Sequence, residues 1–225
     1  MGIMGRKNKI DNIKIRGREF HRFKSLLKRY FNITGVYKIF HVIEGKRVHQ
    51  VMLEDGNSVR LDVHEELEED VIVYLQKKAF YHKLASENDI KVPPMIGTYT
   101  TPTGFYKCSK WIKGQRVGFV WNLPHVFQCA GREIAKINLL KAPGGNQYLG
   151  YNDFNKPNAI WTKNNELYLV DVEIQPKKSV DNNVVKMLLK NIDDRDRIDW
   201  FLRGYSEFRS TDKIEKELKR RNYKW

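Results

Sequence analysis

The chain has 225 residues and a mass of 26.7 kDa, enough for one large domain or two small lobes around a sizeable core, which excludes a peptide or a disordered tail. Hydrophobic residues make up 41% and charged residues 30%, an ordinary globular composition tilted toward charge. Lys and Arg outnumber Asp and Glu by 41 to 27, a net charge of +14, which favours acidic partners such as nucleic acid, phosphorylated metabolites or an anionic membrane surface. Cys108 and Cys129 are too few for a disulfide scaffold, so a reducing, cytoplasmic setting is expected. No run is long and apolar enough for a signal peptide or a membrane span. His21, His41, His49, His64, His82 and His125 lack the i, i+4 spacing or the cysteine partners of a metal site and read as surface or packing residues.

The charge is unevenly spread. Residues 1 to 30 hold ten Lys or Arg against two acids, and residues 61 to 70 hold six acids and no base. Phe20, Phe23, Leu26, Leu27, Tyr30 and Phe31 fall at helical spacing among the first basic residues, which predicts a basic amphipathic helix, either a surface helix packing its apolar stripe on the body of the protein or a dedicated contact to an anion or a membrane surface. From Gly35 to Val63 the pattern alternates with β-branched residues, and Glu54-Asp55-Gly56-Asn57 supplies a hairpin turn between Val48–Leu53 and Ser58–Val63. A helix follows over Glu68–Ser86, closed before Pro93-Pro94. Strands return at Met95–Tyr99 and Gly104–Ile112 around the turn Thr101-Pro102-Thr103-Gly104.

Beyond Gly114 the pattern is helical. His125–Leu140 is an amphipathic helix, and Ala159–Trp161 and Leu167–Val170 form a short hairpin around Thr162–Glu166. Further helices are predicted over Val184–Asn191 and Ile198–Arg221. The order, sheet-rich then helix-rich, is that of a two-lobed α+β architecture. The expected divisions are a basic helical extension over 1–34, an N-lobe over 35–112 and a C-lobe over 113–225. The extension is expected to dock an anionic partner or substrate, so that removing residues 1 to 30 changes substrate affinity more than nucleotide affinity.

One constellation carries chemistry. Asp153 lies in a loop, Asn158 follows five residues later, and Asp171 ends the second strand of the hairpin. Phosphoryl transfer needs such a set: a carboxylate to orient and deprotonate the attacking hydroxyl, and an amide oxygen and a second carboxylate to hold magnesium against nucleotide phosphates. At these residues the sequence resembles the protein-kinase-like superfamily, and within it the aminoglycoside phosphotransferases and other small-molecule and lipopolysaccharide kinases. Asp171-Val172-Glu173 is similar to the Asp-x-Glu of the aminoglycoside kinases. The resemblance implies a two-lobed kinase-like fold with a small antiparallel-sheet N-lobe and a mainly helical C-lobe. It makes Asp153 the catalytic base and Asn158 and Asp171 the Mg2+ ligands. Cys108–Gly114 resembles the hinge between lobes, where the carbonyl of Lys110 and the amide of Ile112 would pair with adenine.

The resemblance has three departures. Tyr151-Asn152 precedes Asp153 where the family has His-Gly or His-Arg, and no glycine-rich loop lies between Phe31 and Val51. The strand Lys and helix Glu that the family uses at the nucleotide phosphates have no counterparts. Either Arg60 acts directly, its guanidinium gripping phosphate, or Asp62 on the strand and Lys78 on the helix form a charge-swapped pair. Glu173 is either a third carboxylate at the metal or a solvated side chain.

The expected function is that of a kinase that moves the γ-phosphoryl group of ATP to a hydroxyl of a small molecule or saccharide. The alternatives are a compact protein kinase with a protein acceptor, a pseudokinase, or a basic nucleic-acid-binding protein.

Overall fold

The structure is a computed structural model and describes residues 13–43, 46–121, 123–192 and 194–221. These fall into two compact units. One comprises the described residues up to Gln76 together with Met95–Trp111, and the other comprises Lys77–Pro94 together with the described residues from Ile112 onward. Helix α2 (Glu69–Glu87) gives its first eight residues to one unit and the rest to the other.

In the first unit, alternating β-branched and aromatic residues form β1 (Ile13–Lys14), β2 (Val36–Ile43), β3 (Lys46–Leu53), β4 (Ser58–Glu65), β5 (Met95–Thr101) and β6 (Gly104–Lys110). They make one sheet in the order β1-β2-β3-β4-β6-β5, antiparallel throughout. The predicted β3–β4 hairpin is present, its turn closed by the Asp55 carboxylate, which accepts from the Asn57 amide at 2.9 Å. Gly56 there has φ +80°, a conformation that favours glycine.

Helix α1 (Gly17–Phe31) packs its apolar stripe on the body of its unit. Its stripe of Phe23, Leu27 and Phe31 is buried with Val36, Ile39, Val51, Leu61 and Cys108, because the sheet's apolar face needs a cover. Removing residues 1 to 30 therefore strips part of a core and does not isolate a docking element. The opposite side of α1 leaves Arg18, Lys24 and Lys28 exposed, and residues 1–12 of the expected extension lie outside the described residues. Cys108 is fully buried, and burial pushes its thiol up to about 12, in keeping with a small apolar packing residue.

The second unit holds the end of α2, α3 (Pro124–Ile137), α4 (Val180–Asn191), α5 (Arg195–Ser206) and α6 (Asp212–Arg220). Two small ladders accompany them: β7 (Gln115–Arg116) with β9 (Ala159–Trp161) and β10 (Leu167–Leu169), and β8 (Tyr148–Tyr151) with β11 (Ile174–Lys177). The helix predicted over Ile198–Arg221 is two helices. The chain restarts at α6, where the Ser210 hydroxyl accepts from the Asp212 amide at 3.2 Å and the Thr211 hydroxyl donates to Glu215 at 2.6 Å. Local polar bonds of this kind compete with helix continuation. Among the described residues no helix is long and apolar enough to cross a membrane.

Helices α3 and α5 approach at two glycines. A Cβ at Gly131 would strike the carbonyl of Phe201, and one at Gly204 would strike the carbonyl of Gln128. Both obstacles are backbone, which cannot rotate aside as a side chain can. Gly204→Ala is expected to cost about 3 kcal/mol or more of stability by forcing the helices apart, read as a lower urea midpoint at unchanged slope.

Candidate active site

The site residues are set by two nested ladders. Outside, β8 and β11 pair with Tyr151 opposite Ile174; inside, β9 and β10 pair with Ala159 opposite Leu169. Residues 152–158 and 170–173 are therefore held side by side between the two ladders, seven residues against four, so the longer segment must loop out. The inner hairpin is tied down through Lys91. Its carbonyl accepts from the Leu169 amide at 2.9 Å, its own amide donates to the buried Glu133 carboxylate at 2.7 Å, and its ammonium pairs with Glu166 at 2.9 Å.

Within the loop, Phe154 is the anchor. It is fully buried among Trp121, Phe127 and Phe201, which fixes the backbone on either side of it. Asp153, next in line, is half-buried. Its carboxylate accepts from Asn155 at 2.8 Å and from the side-chain amide of Asn158, which also donates to the Asp153 carbonyl at 3.2 Å. With its NH2 group engaged in this way, Asn158 has its amide oxygen left for a further partner. The Asn158 carbonyl in turn accepts from the Val170 amide at 2.9 Å, joining the loop to the residue before Asp171.

Tyr151 closes the arrangement. Its ring is fully buried, its hydroxyl donates to the Asp171 carbonyl at 3.3 Å, and its own carbonyl accepts from Asn183 at 2.8 Å. Burial, and then the charges of Asp171, Asp153 and Glu173, push its phenol well above the ordinary value. All three carboxylates thus act on one buried hydroxyl. Sequence reasoning noted Tyr151 only as a departure from a family pattern; its role as an anchor depends on the β8–β11 pairing, which four-residue strands containing Gly150 and Pro176 do not announce.

Glu173 is neither free in solvent nor a bare carboxylate: it pairs with Lys78 of α2 at 2.9 Å within the same unit. In the other unit, Asp62 is buried and pairs with Arg60 at 2.7 Å and Lys107 at 2.9 Å. The Lys107 partner was missed because Lys107 meets Asp62 only through the β4–β6 register. Lys110 ends β6, exposed, and Ile112 is half-buried.

Asp153, Asn158 and Asp171 offer oxygen donors only, the hard set that suits magnesium and does not suit softer metals. The donor set fits the ion that the spacing suggested.

No family model matches the sequence, and no curated protein matches it. Solved structures do resemble it. A spectinomycin phosphotransferase in complex with ADP and spectinomycin matches over 86% of this chain and 82% of its own, at 11% identity and a TM-score of 0.61. An aminoglycoside phosphotransferase of type 2″-IIa in a ternary complex with streptomycin and ATP matches over 93% and 89%, at 14% identity and 0.59. An aminoglycoside-3′-phosphotransferase of type VIII matches over 87% and 96%, at 13% identity and 0.58. The chain has the protein-kinase-like fold. With the sheet unit, the mainly helical unit and the carboxylate-bearing loop described above, this kinase-like architecture agrees with the expected fold class.

Two predictions come from this geometry. Burial by itself raises the Asp62 carboxyl, but the charges and hydrogen bonds of Lys107 and Arg60 outweigh it and hold the group far below the ordinary carboxylate range. Because the folded-state value is depressed, the stabilisation is complete above the unfolded value of about 4 and is lost progressively as pH falls below it. Unfolding free energies measured by urea titration should therefore fall more shallowly below about pH 4 in Asp62→Asn than in the native chain. Tyr151→Phe should lower stability by about 1 kcal/mol through the lost bond to the Asp171 carbonyl, measured in the same way at neutral pH.

Proposed function

We propose that this chain is an ATP-dependent phosphotransferase whose acceptor is a hydroxyl of a small molecule or saccharide. The observation that carries the reading is the convergence of Asp153, Asn158 and Asp171 on adjacent segments, joined by the Asn158–Asp153 and Val170–Asn158 bonds. The fold supports it, being shared with phosphotransferases seen in complex with ADP and spectinomycin or with ATP and streptomycin.

In this reading Asp153 orients the acceptor hydroxyl and takes its proton as the oxygen attacks the γ-phosphorus. Asn155 and Asn158 hold that carboxylate in one rotamer, so the proton acceptor is in place before the substrate arrives. The amide oxygen of Asn158 and the carboxylate of Asp171 are the magnesium ligands. Magnesium, when bound there, neutralises charge on the nucleotide phosphates. Lys78 is held by Glu173, two residues from Asp171, which gives a cation a fixed place beside the metal-binding segment and supports Lys78 as a phosphate contact, with Arg60 as the other candidate. The backbone of Lys110 and Ile112 pairs with the adenine.

Asp153→Asn should lower phosphoryl transfer by about a hundred- to ten-thousand-fold with nucleotide binding and stability retained; transfer at the native rate would reject the role of Asp153. Thermal stabilisation by ATP should require Mg2+ and disappear in Asp171→Asn. Lys78→Ala or Arg60→Ala should weaken ATP binding, and unchanged affinity in both would remove both candidates. Stabilisation by nucleic acid that collapses with added salt, without any effect of ATP, would point to a basic nucleic-acid-binding protein.

A further inference from the structure

Three further side chains of the sheet unit converge. His41 on β2 and His49 on β3 are direct cross-strand partners, with ring centroids 4.4 Å apart. Glu19, in the first turn of α1, meets them, and one ligand atom from each of the three lies within 4.8 Å of the other two. Spacing along the chain does not reveal this set; the β2–β3 register and the seating of α1 on the sheet create it.

His49 is 2% exposed, and its Nδ1 lies 3.3 Å from the Leu61 carbonyl. A carbonyl oxygen only accepts, so Nδ1 carries the proton and Nε2 carries the lone pair. Nε2 is buried and has no hydrogen-bond partner among the described residues. An unsatisfied buried acceptor is costly, and this one belongs to an imidazole whose other nitrogen is already fixed by a backbone carbonyl, the arrangement that orients histidine toward a metal. Phe23 flanks the ring edge-on at 4.8 Å between centroids and restricts its rotation.

We propose that Glu19, His41 and His49 bind one divalent transition-metal ion of the zinc class. Two imidazoles and a carboxylate are a zinc donor set, with nitrogen and oxygen at about 2.0–2.2 Å from the ion. Glu19 is exposed and completes the three-ligand set, leaving a fourth position for water. Bound metal would clasp the first turn of α1 to the β2–β3 hairpin. The ion is of a different class from the magnesium of the oxygen-only set, so the two sites do not compete for one metal.

The test uses the full, untagged chain, stripped of metal and titrated with Zn2+ against a chromogenic chelator, and with Co2+ by visible absorption. One Zn2+ per chain is expected, with Co2+ giving the intense bands of a four-coordinate nitrogen and oxygen site. Glu19→Gln and His41→Ala should each weaken Zn2+ at least tenfold, while His125→Ala, at an exposed position near the start of α3, binds as the native chain does. His49→Gln should abolish binding; should that variant fail to fold, the Glu19 and His41 variants decide. Absence of saturable Zn2+ binding, native affinity in both of those variants, or Mg2+ bound as tightly as Zn2+ would each overturn the proposal.

Discussion

A buried tyrosine hydroxyl governs the geometry of the carboxylate loop. Tyr151 ends β8, and its side chain reaches across to the carbonyl of Asp171 while its backbone is held by Asn183 and by pairing with Ile174. Phe154, three residues on, is packed among aromatic rings. Between these two fixed points Asp153 has little backbone freedom, and Asn155 and Asn158 use up what remains in its side chain. Like charges repel, so gathering Asp153, Asp171 and Glu173 around one phenol is unfavourable unless cations or donors compensate. Lys78 does so at Glu173, and the two asparagine amides do so at Asp153.

Much of the fold was legible from residue order because local chemistry and tertiary need agreed. The turn Glu54–Asn57 and the alternation on either side defined a hairpin, and the prolines after α2 defined its end. The elements that escaped notice are those made by tertiary pairing alone. Strands β8 and β11 are four residues each and carry Gly150, Gln175 and Pro176, with no alternation to read. The break between α5 and α6 rests on hydroxyl contacts of Ser210 and Thr211, which compete with helix continuation only by a small margin. Of the candidate site, the spacing of Asp153, Asn158 and Asp171 was visible because all three lie on segments adjacent in sequence. The partners of Asp62 and Glu173 were not, since Lys107 and Lys78 reach them from 45 and 95 residues away. His41 and His49 show the same limit: eight residues apart in the chain, they meet only through strand register.

The basic residues divide in a way that composition hides. One part is paired with acids, as are Arg60 and Lys107 with Asp62, Lys91 with Glu166 and Lys78 with Glu173. Another part lies on the outer side of α1, whose inner side is core. A single helix therefore serves both as cover for a sheet, through Phe23, Leu27 and Phe31, and as a carrier of surface charge.

Tyr151 also sets how the loop answers to acidity. An imidazole in its place would gain a proton between about pH 5 and 8 and so change its charge beside three carboxylates. A phenol whose ionisation is pushed upward by burial and by those same charges stays neutral and keeps donating over that whole interval. The anchor is thus silent to proton concentration across that interval.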